Sequence, residues 1–448
     1  IMVKRYFSKW KGFKRAALCS GIFLLVYSIT PLEVSAQQTD SLMYLPELIQ
    51  EGLQNNPELQ SGYNRWQADQ AKIPQAGALP DPQISFNLLN LPVNTFDFDQ
   101  EPMTGKQLSL MQMFPFPGKL GLKEDIARAG SQISRAQYRE LQNQLVKNIK
   151  LTFYELYFLD KSIETIESNT RLMKDFNRIA ESRYTVGTGL QQDILRAQVE
   201  LARLTDKQVT LQQKRKVQAS RLNKLLNRPI SAAVGEPQVN DPDSLQLRTQ
   251  SLNPDSLKTL ANHYRPLFSA WESTLKQSRK KVDLAKKGYL PDFKLGVAYT
   301  QREALQNGMP GVDFVSGLFT MEVPLYFWKK QKKNIEENRY SQIALQKKYE
   351  DVKNQVFSKL DQKFTEIQKN EKLLQLYKTG IIPLANQSLE SALSGYQTDR
   401  VDFLTLLNNQ ITIFNYELEY YRVFSDLFKN LAELQALTGF DVVIFDIK

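Results

Sequence analysis

Phe293-Lys-Leu-Gly-Val-Ala-Tyr-Thr300, followed by Val315-Ser-Gly-Leu-Phe-Thr-Met-Glu-Val323, is the stretch whose reading decides the fold. Successive side chains of an extended chain point to opposite faces. Phe293, Leu295, Val297 and Tyr299 therefore share one face, and Lys294, Gly296, Ala298 and Thr300 the other. Val315, Phe319, Met321 and Val323 likewise oppose Ser316, Thr320 and Glu322. A similar pair comes earlier, in Gln83-Ile-Ser-Phe-Asn-Leu-Leu89 and Gln107-Leu-Ser-Leu-Met-Gln-Met113. Period-2 segments of about ten residues are the pattern of transmembrane β-barrel strands, especially where they end in aromatics. Here the aromatics are Tyr326, Phe327 and Trp328. A half-buried sheet in a water-soluble domain produces the same alternation strand by strand, so the choice rests on the surroundings.

Outward from these hairpins the chain repeats itself. Asn56-Pro57-Glu58-Leu59 is echoed by Arg265-Pro266-Leu267-Phe268, and Leu79-Pro80-Asp81 by Leu290-Pro291-Asp292. Phe114-Pro115-Phe116 is echoed by Val323-Pro324-Leu325, and Tyr184…Gln198 by Tyr396…Gln410. Four landmarks recur in one order at nearly one offset, which indicates duplication. The first repeat spans residues 37–228 with its hairpin at about 83–114, and the second spans 254–448 with its hairpin at about 293–323. Residues 229–253, rich in Pro, Asp, Ser and Asn, read as a surface connection between them.

The helical stretches are long. From about Lys119 to Ser182 there is no Pro and only Gly121 and Gly130. A continuous helix over this run would extend for roughly 95 Å. Positions 194, 197, 201, 204, 208, 211, 215, 218, 222 and 225 step by three and four and are mostly apolar. The equivalent ladder in the second half starts at Leu404 and ends at Gln435. Such coiled-coil spacing predicts packing seams with a solvated Gln, Lys and Arg face outside them.

Composition removes most enzyme classes. The chain has 448 residues, one Cys and one His. That excludes a disulfide framework, a Cys-based zinc site and multi-histidine metal or acid–base constellations. Residues 1–36 hold six basic residues and one acid, then an apolar run from Ala16 to Tyr27 and the small residues Val34-Ser-Ala36. This reads as a secretory signal cleaved after Ala36; a membrane anchor would need about 20 apolar residues. Half of the +10 net charge leaves with it, which makes nucleic acid a poor partner, and so does Cys19. No later stretch is long and apolar enough for a spanning helix, so entry into a membrane would use strands.

Four strands cannot close a barrel, and an open sheet edge in lipid leaves backbone groups unpaired. Two chains give eight strands and a filled interior; three give twelve and room for a pore. Three are expected, with cyclic symmetry joining the long helices into one tube. The fold class is then an α+β membrane protein whose trimeric 12-stranded transmembrane β-barrel continues as a long α-helical periplasmic barrel.

Taken together, these residues resemble the TolC-like outer-membrane efflux proteins, from Leu45 to about Phe440. The carriers are the duplication, the two Leu-Pro-Asp turns, Phe114-Pro-Phe-Pro-Gly-Lys119, Tyr184-Thr-Val-Gly-Thr-Gly189 and Asp193-Ile-Leu195. The Phe-Pro-Phe-Pro-Gly-Lys-Leu run is most similar to the heavy-metal cation efflux branch. The resemblance implies passive conduction through the outer membrane of a Gram-negative bacterium, with no catalysis and no cofactor. It also implies a homotrimer in outer-membrane lipid, a periplasmic membrane-fusion adaptor, and an inner-membrane pump of the resistance-nodulation-division type or an ABC exporter. Adaptor-docking tips correspond to Val186, Gly187, Thr188, Gly189, Asp399 and Arg400. The family's acidic constriction falls on Thr405 and Asn408, which are neutral. Asp399 and Asp402 remain as candidate carboxylate rings, and Asp402 is equally suited to cap a helix. Since the second turn, Tyr396-Gln-Thr-Asp-Arg400, lacks glycine, the two tips are expected to differ in shape.

Met103, Met111 and Met113 around the first hairpin have the soft sulfur that copper(I) or silver prefers, but apolar filling near a lipid-facing strand accounts for them as well. His263, placed with the Arg265-Pro266 helix, reads as structural. The competing readings are the outer-membrane duct of a type I secretion system and a periplasmic coiled-coil scaffold with a soluble β-domain.

Overall fold

The computed structural model describes residues 42–239 and 253–440. The expected signal, with Ala36 and Cys19, lies outside the described residues, as do 240–252 of the connection.

A short strand β1 (Leu42–Met43) leads into α1 (Leu45–Asn55) and α2 (Pro57–Gly77). The break between them is built by Asn56, whose carboxamide oxygen accepts from Glu58 N at 3.0 Å. It also accepts from Leu59 N at 3.2 Å. This is N-capping, and Pro57 suits the first position of the next helix because its missing N–H would have no partner there. Strands β2 (Gln83–Leu89) and β3 (Gly105–Phe114) follow, then α3 (Lys119–Thr185), 67 residues long, and α4 (Gln191–Leu226). After β4 (Glu236–Pro237) the order recurs: α5 (Pro254–Tyr264), α6 (Pro266–Lys287), β5 (Asp292–Gln301), β6 (Phe314–Glu322), α7 (Gln331–Leu376), α8 (Ile382–Gln397) and α9 (Phe403–Thr438). A π-helical turn, Tyr377–Ile381, joins α7 to α8 without a break. Pro383 explains it: the missing N–H cannot serve the Thr379 carbonyl, and the wider turn absorbs the defect. α3 has no such interruption.

The four longer strands form one antiparallel sheet in the order β2-β3-β5-β6, so the hairpins of the two halves meet through β3 and β5. Ile84, Leu110, Val297 and Gly317 lie in one cross-strand row, and Phe86, Leu108, Tyr299 and Val315 in the next on the same face. This face is left bare: Ile84 is 74% and Val315 79% exposed. The other face carries Ser85, Ser109, Ala298 and Ser316 in register. Met111 pairs with Gln83 and Gly296, and Met113 with Lys294, so both belong to the polar face. They are not filler on the apolar side. Met103 lies in the β2–β3 loop.

At the foot of the sheet two sequence motifs from different halves lock together. Asp292 Oδ1 accepts from Phe116 N at 2.7 Å and from Lys119 Nζ at 2.8 Å, and Lys119 also donates to Leu290 O at 2.8 Å.

α3 packs against α2, α4, α6 and α9, and α9 also against α7 and α8. One buried cluster gathers Leu48, Phe153, Leu222, Leu257, Leu360 and Phe424; a second, toward the α3–α4 turn, holds Met173, Ala197, Phe403 and Leu406. Every position of the α4 ladder is buried or half-buried, and of the α9 ladder positions only Leu404 is exposed. The connection is less of a surface segment than its composition suggests. Glu236–Pro237 pairs in parallel with Leu42–Met43, Pro237 is buried, and Val234 and Val239 pack on the core. Arg215, ion-paired with Asp160, donates to Gly235 O at 3.1 Å. His263 belongs to α5, edge-on to Tyr264 at 4.7 Å.

Candidate functional site

The predicted tip residues fall on the α3–α4 and α8–α9 turns, and the two turns share one backbone frame. Arg183 O accepts from Thr188 N and Gly189 N, both at 2.9 Å; Gly395 O accepts from Arg400 N at 2.8 Å and Val401 N at 3.2 Å. The residue four after each acceptor is left-handed: Gly187 at φ +77° and Asp399 at φ +61°. The expectation that a glycine-free turn must differ in shape is thus corrected for the backbone. Asp is among the few L-residues that enter this region at modest cost. The glycines work differently: a Cβ on Gly187 would meet open space, whereas one on Gly189 would sit 2.9 Å from Tyr184 N.

Arg183 ties the turns together. Its guanidinium ion-pairs with Asp399, donates to the Tyr396 carbonyl, and lies 4.7 Å from the centre of the Tyr396 ring. The Arg183 side chain is only 16% exposed, whereas that of Asp399 is 71% exposed. Tyr396 is buried against Phe403, 5.5 Å between ring centres. Burial, then the nearby Asp193 charge, pushes the Tyr396 phenol up.

Asp402 is the N-cap of α9, accepting from Thr405 N at 2.9 Å. The Thr405 hydrogen bonds hold its carboxyl below the usual range. Across from it, burial raises the Asp193 carboxyl, with the Asp402 charge adding to the effect. Thr405 and Asn408 are exposed on α9, and Asn408 O accepts from Thr412 Oγ1 at 2.7 Å. Val186, Thr188 and Arg400 are exposed; Val186 is the most apolar point of its turn. The structure therefore brings Asp399, Asp402, Thr405 and the α3–α4 turn to one end of the helices, with Asp399 paired and Asp402 engaged as a cap. The Arg183–Tyr396 contact has no sequence signature of its own; the recurrence of Tyr184 as Tyr396 marks the place but not the partner.

Among the described residues no group of three or more His, Cys, Asp or Glu is placed to hold a metal ion, and no helix is long and apolar enough to cross a membrane.

The family model described as Outer membrane efflux protein matches residues 48–228 and 258–440, one segment in each half. The chain belongs to the outer membrane efflux protein family. Among solved structures it is similar to CusC, with TM-score 0.76 and 15% identity over 88% of this chain and 92% of that one. It is also similar to VceC from Vibrio cholerae, with TM-score 0.74 and 17% identity over 88% and 96% of the two chains. The open state of the Neisseria gonorrhoeae MtrE outer membrane channel matches with TM-score 0.73 and 15% identity over 89% of each chain. These likenesses concern the fold. The Toxin and drug export protein A of Aggregatibacter actinomycetemcomitans is 21% identical over 272 residues, 57% of this chain and 58% of that relative's length.

Proposed function

We propose that three copies of this chain form the outer-membrane channel-tunnel of a tripartite efflux system, conducting solutes passively from an inner-membrane pump through a periplasmic adaptor. The observation that carries this reading is the sheet: four strands with one bare apolar face and two unpaired outer edges, which lipid tolerates only when closed. Strand β5, with 10 residues, extends for about 33 Å and, tilted by about 40°, spans about 25 Å, the height of an outer-membrane apolar band. Tyr326, Phe327 and Trp328, about half exposed or more, supply an interface girdle at one end. Repeats at 37–228 and 254–448, joined through 229–253, give each copy two equivalent hairpins and two equivalent helix pairs.

The β3–β5 junction is a template for closure. Phe114 pairs with Phe293 there; carrying that pairing over by the repeat offsets sets Val323 opposite Pro82, Met321 opposite Ile84 and Phe319 opposite Phe86 of the next copy. This keeps Met321, Phe319, Ile84 and Phe86 together on the lipid side. Asp81 precedes one edge strand and Lys329 and Lys330 follow the other, where they offer each other a counter-charge.

The α3–α4 and α8–α9 turns are the adaptor-facing tips, with Val186, Gly187, Thr188, Gly189, Asp399 and Arg400 as the docking surface. The Arg183 clamp holds them shut beside the constriction formed by Asp399, Asp402, Thr405 and Asn408. The Phe114–Leu120 run supports heavy-metal cations as substrate. The name of the curated relative supports drugs, or a type I secretion duct, as the second reading.

Cysteine pairs test the assembly: Met321→Cys with Ile84→Cys should give covalent trimers in outer-membrane fractions, and Met321→Cys with Ser85→Cys should not. Purified protein should conduct in planar bilayers. A monomer that stays soluble without detergent would sink the channel and favour the scaffold. Sensitivity of a deletion strain to copper, silver, zinc, cobalt, cadmium and drugs separates the substrate readings.

A further inference from the structure

The two ends of the sheet carry opposite charge. The loops at its far end, 90–104 and 302–313, hold five acids and one base. At its foot the balance reverses. Residues 276–287, the end of α6, and 326–333, the approach to α7, hold ten basic residues and one acid, an excess of nine against +10 for the whole 448-residue chain. The fold brings these two segments together: the Tyr289 and Phe327 rings lie 6.2 Å apart, and a Cβ on Gly288 would meet Gln331 Cγ at 3.7 Å.

Helix formation does not account for these lysines. The N-cap of α7 is Lys330, which makes no side-chain cap, and its first turn holds no acid. Lysines at that end oppose the helix dipole. Nor do local carboxylates absorb the charge. Asp292 is taken by Lys119, Asp283 by Lys286 and Glu336 by Lys333. Lys329, Lys330 and Lys332 are exposed and make no ion pair among the described residues. Glu322, which ends β6, and Asp81 of the next copy can each take one of them after closure. That still leaves a third lysine, and Lys287, whose ammonium lies 5.6 Å from the centre of the Phe116 ring, without a counter-charge.

What surrounds the lysines identifies that counter-charge. Tyr326, Phe327 and Trp328 precede them directly, about half exposed or more, with the Phe327 and Trp328 ring centres 5.1 Å apart. Exposed Tyr and Trp rings mark the level of lipid head groups. A lysine stem lets the ammonium reach that level while its methylenes stay with the rings. A soluble anion would use the lysines and leave the rings bare. A lipid uses both.

We propose that the foot of the sheet is a binding surface for phospholipids of net negative charge, with Lys329, Lys330 and Lys332 at the head group and the rings of Tyr326, Phe327 and Trp328 against the start of the acyl chain. The acid-rich loops repel the same lipids at the other end, so the preference belongs to one leaflet. The inference rests on the channel reading for placing the sheet in lipid, and goes beyond it in naming the lipid and the end that binds it.

Phosphatidylglycerol is the probe. The full chain is reconstituted in phosphatidylcholine bilayers, and tryptophan emission is quenched by brominated phosphatidylglycerol or brominated phosphatidylcholine at equal fractions. Trp66 and Trp271 lie about 16 and 24 Å down α2 and α6 from the sheet, so Trp328→Phe should remove the quenching. The wild type should prefer the anionic lipid about fivefold, the worth of one lysine at a charged surface. The preference should shrink toward none in about 1 M NaCl. Lys329→Gln/Lys330→Gln/Lys332→Gln should lose most of it while brominated phosphatidylcholine still quenches, which shows that the variant inserts. Arg at the three positions should keep it, and Lys347→Gln/Lys348→Gln, further along α7, should leave it unchanged. Equal quenching by the two lipids in the wild type, or a preference kept by the Gln variant, overturns the lipid surface. No quenching of the wild type by either lipid would instead overturn the placement of the sheet in the membrane, and the channel reading with it.

Discussion

Replacing Arg183 by Ala should loosen the paired turns far more than removing the charge of its partner Asp399. The substitution deletes a hydrogen bond to the Tyr396 carbonyl and a cation–π contact with the Tyr396 ring. The first, being charge-assisted, is worth about 1.5–3 kcal/mol and the second about 0.5–1 kcal/mol. It also deletes the ion pair to Asp399, whose carboxylate is 71% exposed. Solvent screening reduces that pair to about 0.5 kcal/mol. With partial relaxation the sum is about 2–3 kcal/mol, or roughly 30- to 150-fold in the equilibrium for opening the turns. Asp399→Asn removes only the last contribution, roughly twofold. Hydrogen exchange read by mass spectrometry on peptides covering 183–190 and 395–402 measures that opening directly. Protection should fall by the larger factor in Arg183→Ala and by the smaller in Asp399→Asn. An Arg183→Ala protein protected within about twofold of wild type, or equal losses in both variants, would refute the clamp.

Gly189→Ala should displace the α3–α4 turn, because its Cβ meets backbone at 2.9 Å. Gly187→Ala should cost only the left-handed strain of about 1 kcal/mol, and thermal melts of the two variants rank them. Asp193 predicts a pH dependence. Its folded carboxyl is raised, so the native state holds more proton than the unfolded chain between the ordinary carboxylate value and the raised one, and stability falls as pH rises through that window. Asp193→Asn should flatten the melting temperature there, and an unchanged profile would remove Asp193 as its source. Asp402, lowered, acts oppositely: its capping is complete above the ordinary carboxylate range and is lost only in stronger acid, so Asp402→Asn should differ from wild type least at low pH. On the sheet, Val297→Arg should impair outer-membrane assembly by about 2–4 kcal/mol if that face meets lipid. Gln107→Arg on the other face should be tolerated, and comparable yields of heat-modifiable trimer from the two would contradict the facing.

The packing seams of α4 and α9 were legible because the helical period and the apolar positions are both local. The side taken by Met111 and Met113 is recorded in their parity with Gln107 and Ser109, but reading them as apolar filling overlooked it. The left-handed Asp399 was not legible, because glycine is the usual sign of such a turn and Asp more often means a cap. Nor was the role of Pro237 and its neighbours, whose turn-rich composition conceals a pairing with Leu42–Met43 at the other end of the first repeat.

By itself the sequence determined the elements: alternation made the strands, three-and-four spacing made the helices, and duplication made each occur twice. These are properties of neighbours along the chain. Only the tertiary structure decided what crosses between the halves: the β3–β5 seam, the knot of Asp292 with Phe116 and Lys119, and the Arg183 clamp. Each joins residues far apart in sequence, so its partners are chosen by the geometry of packed helices and paired strands, and no local pattern records that choice.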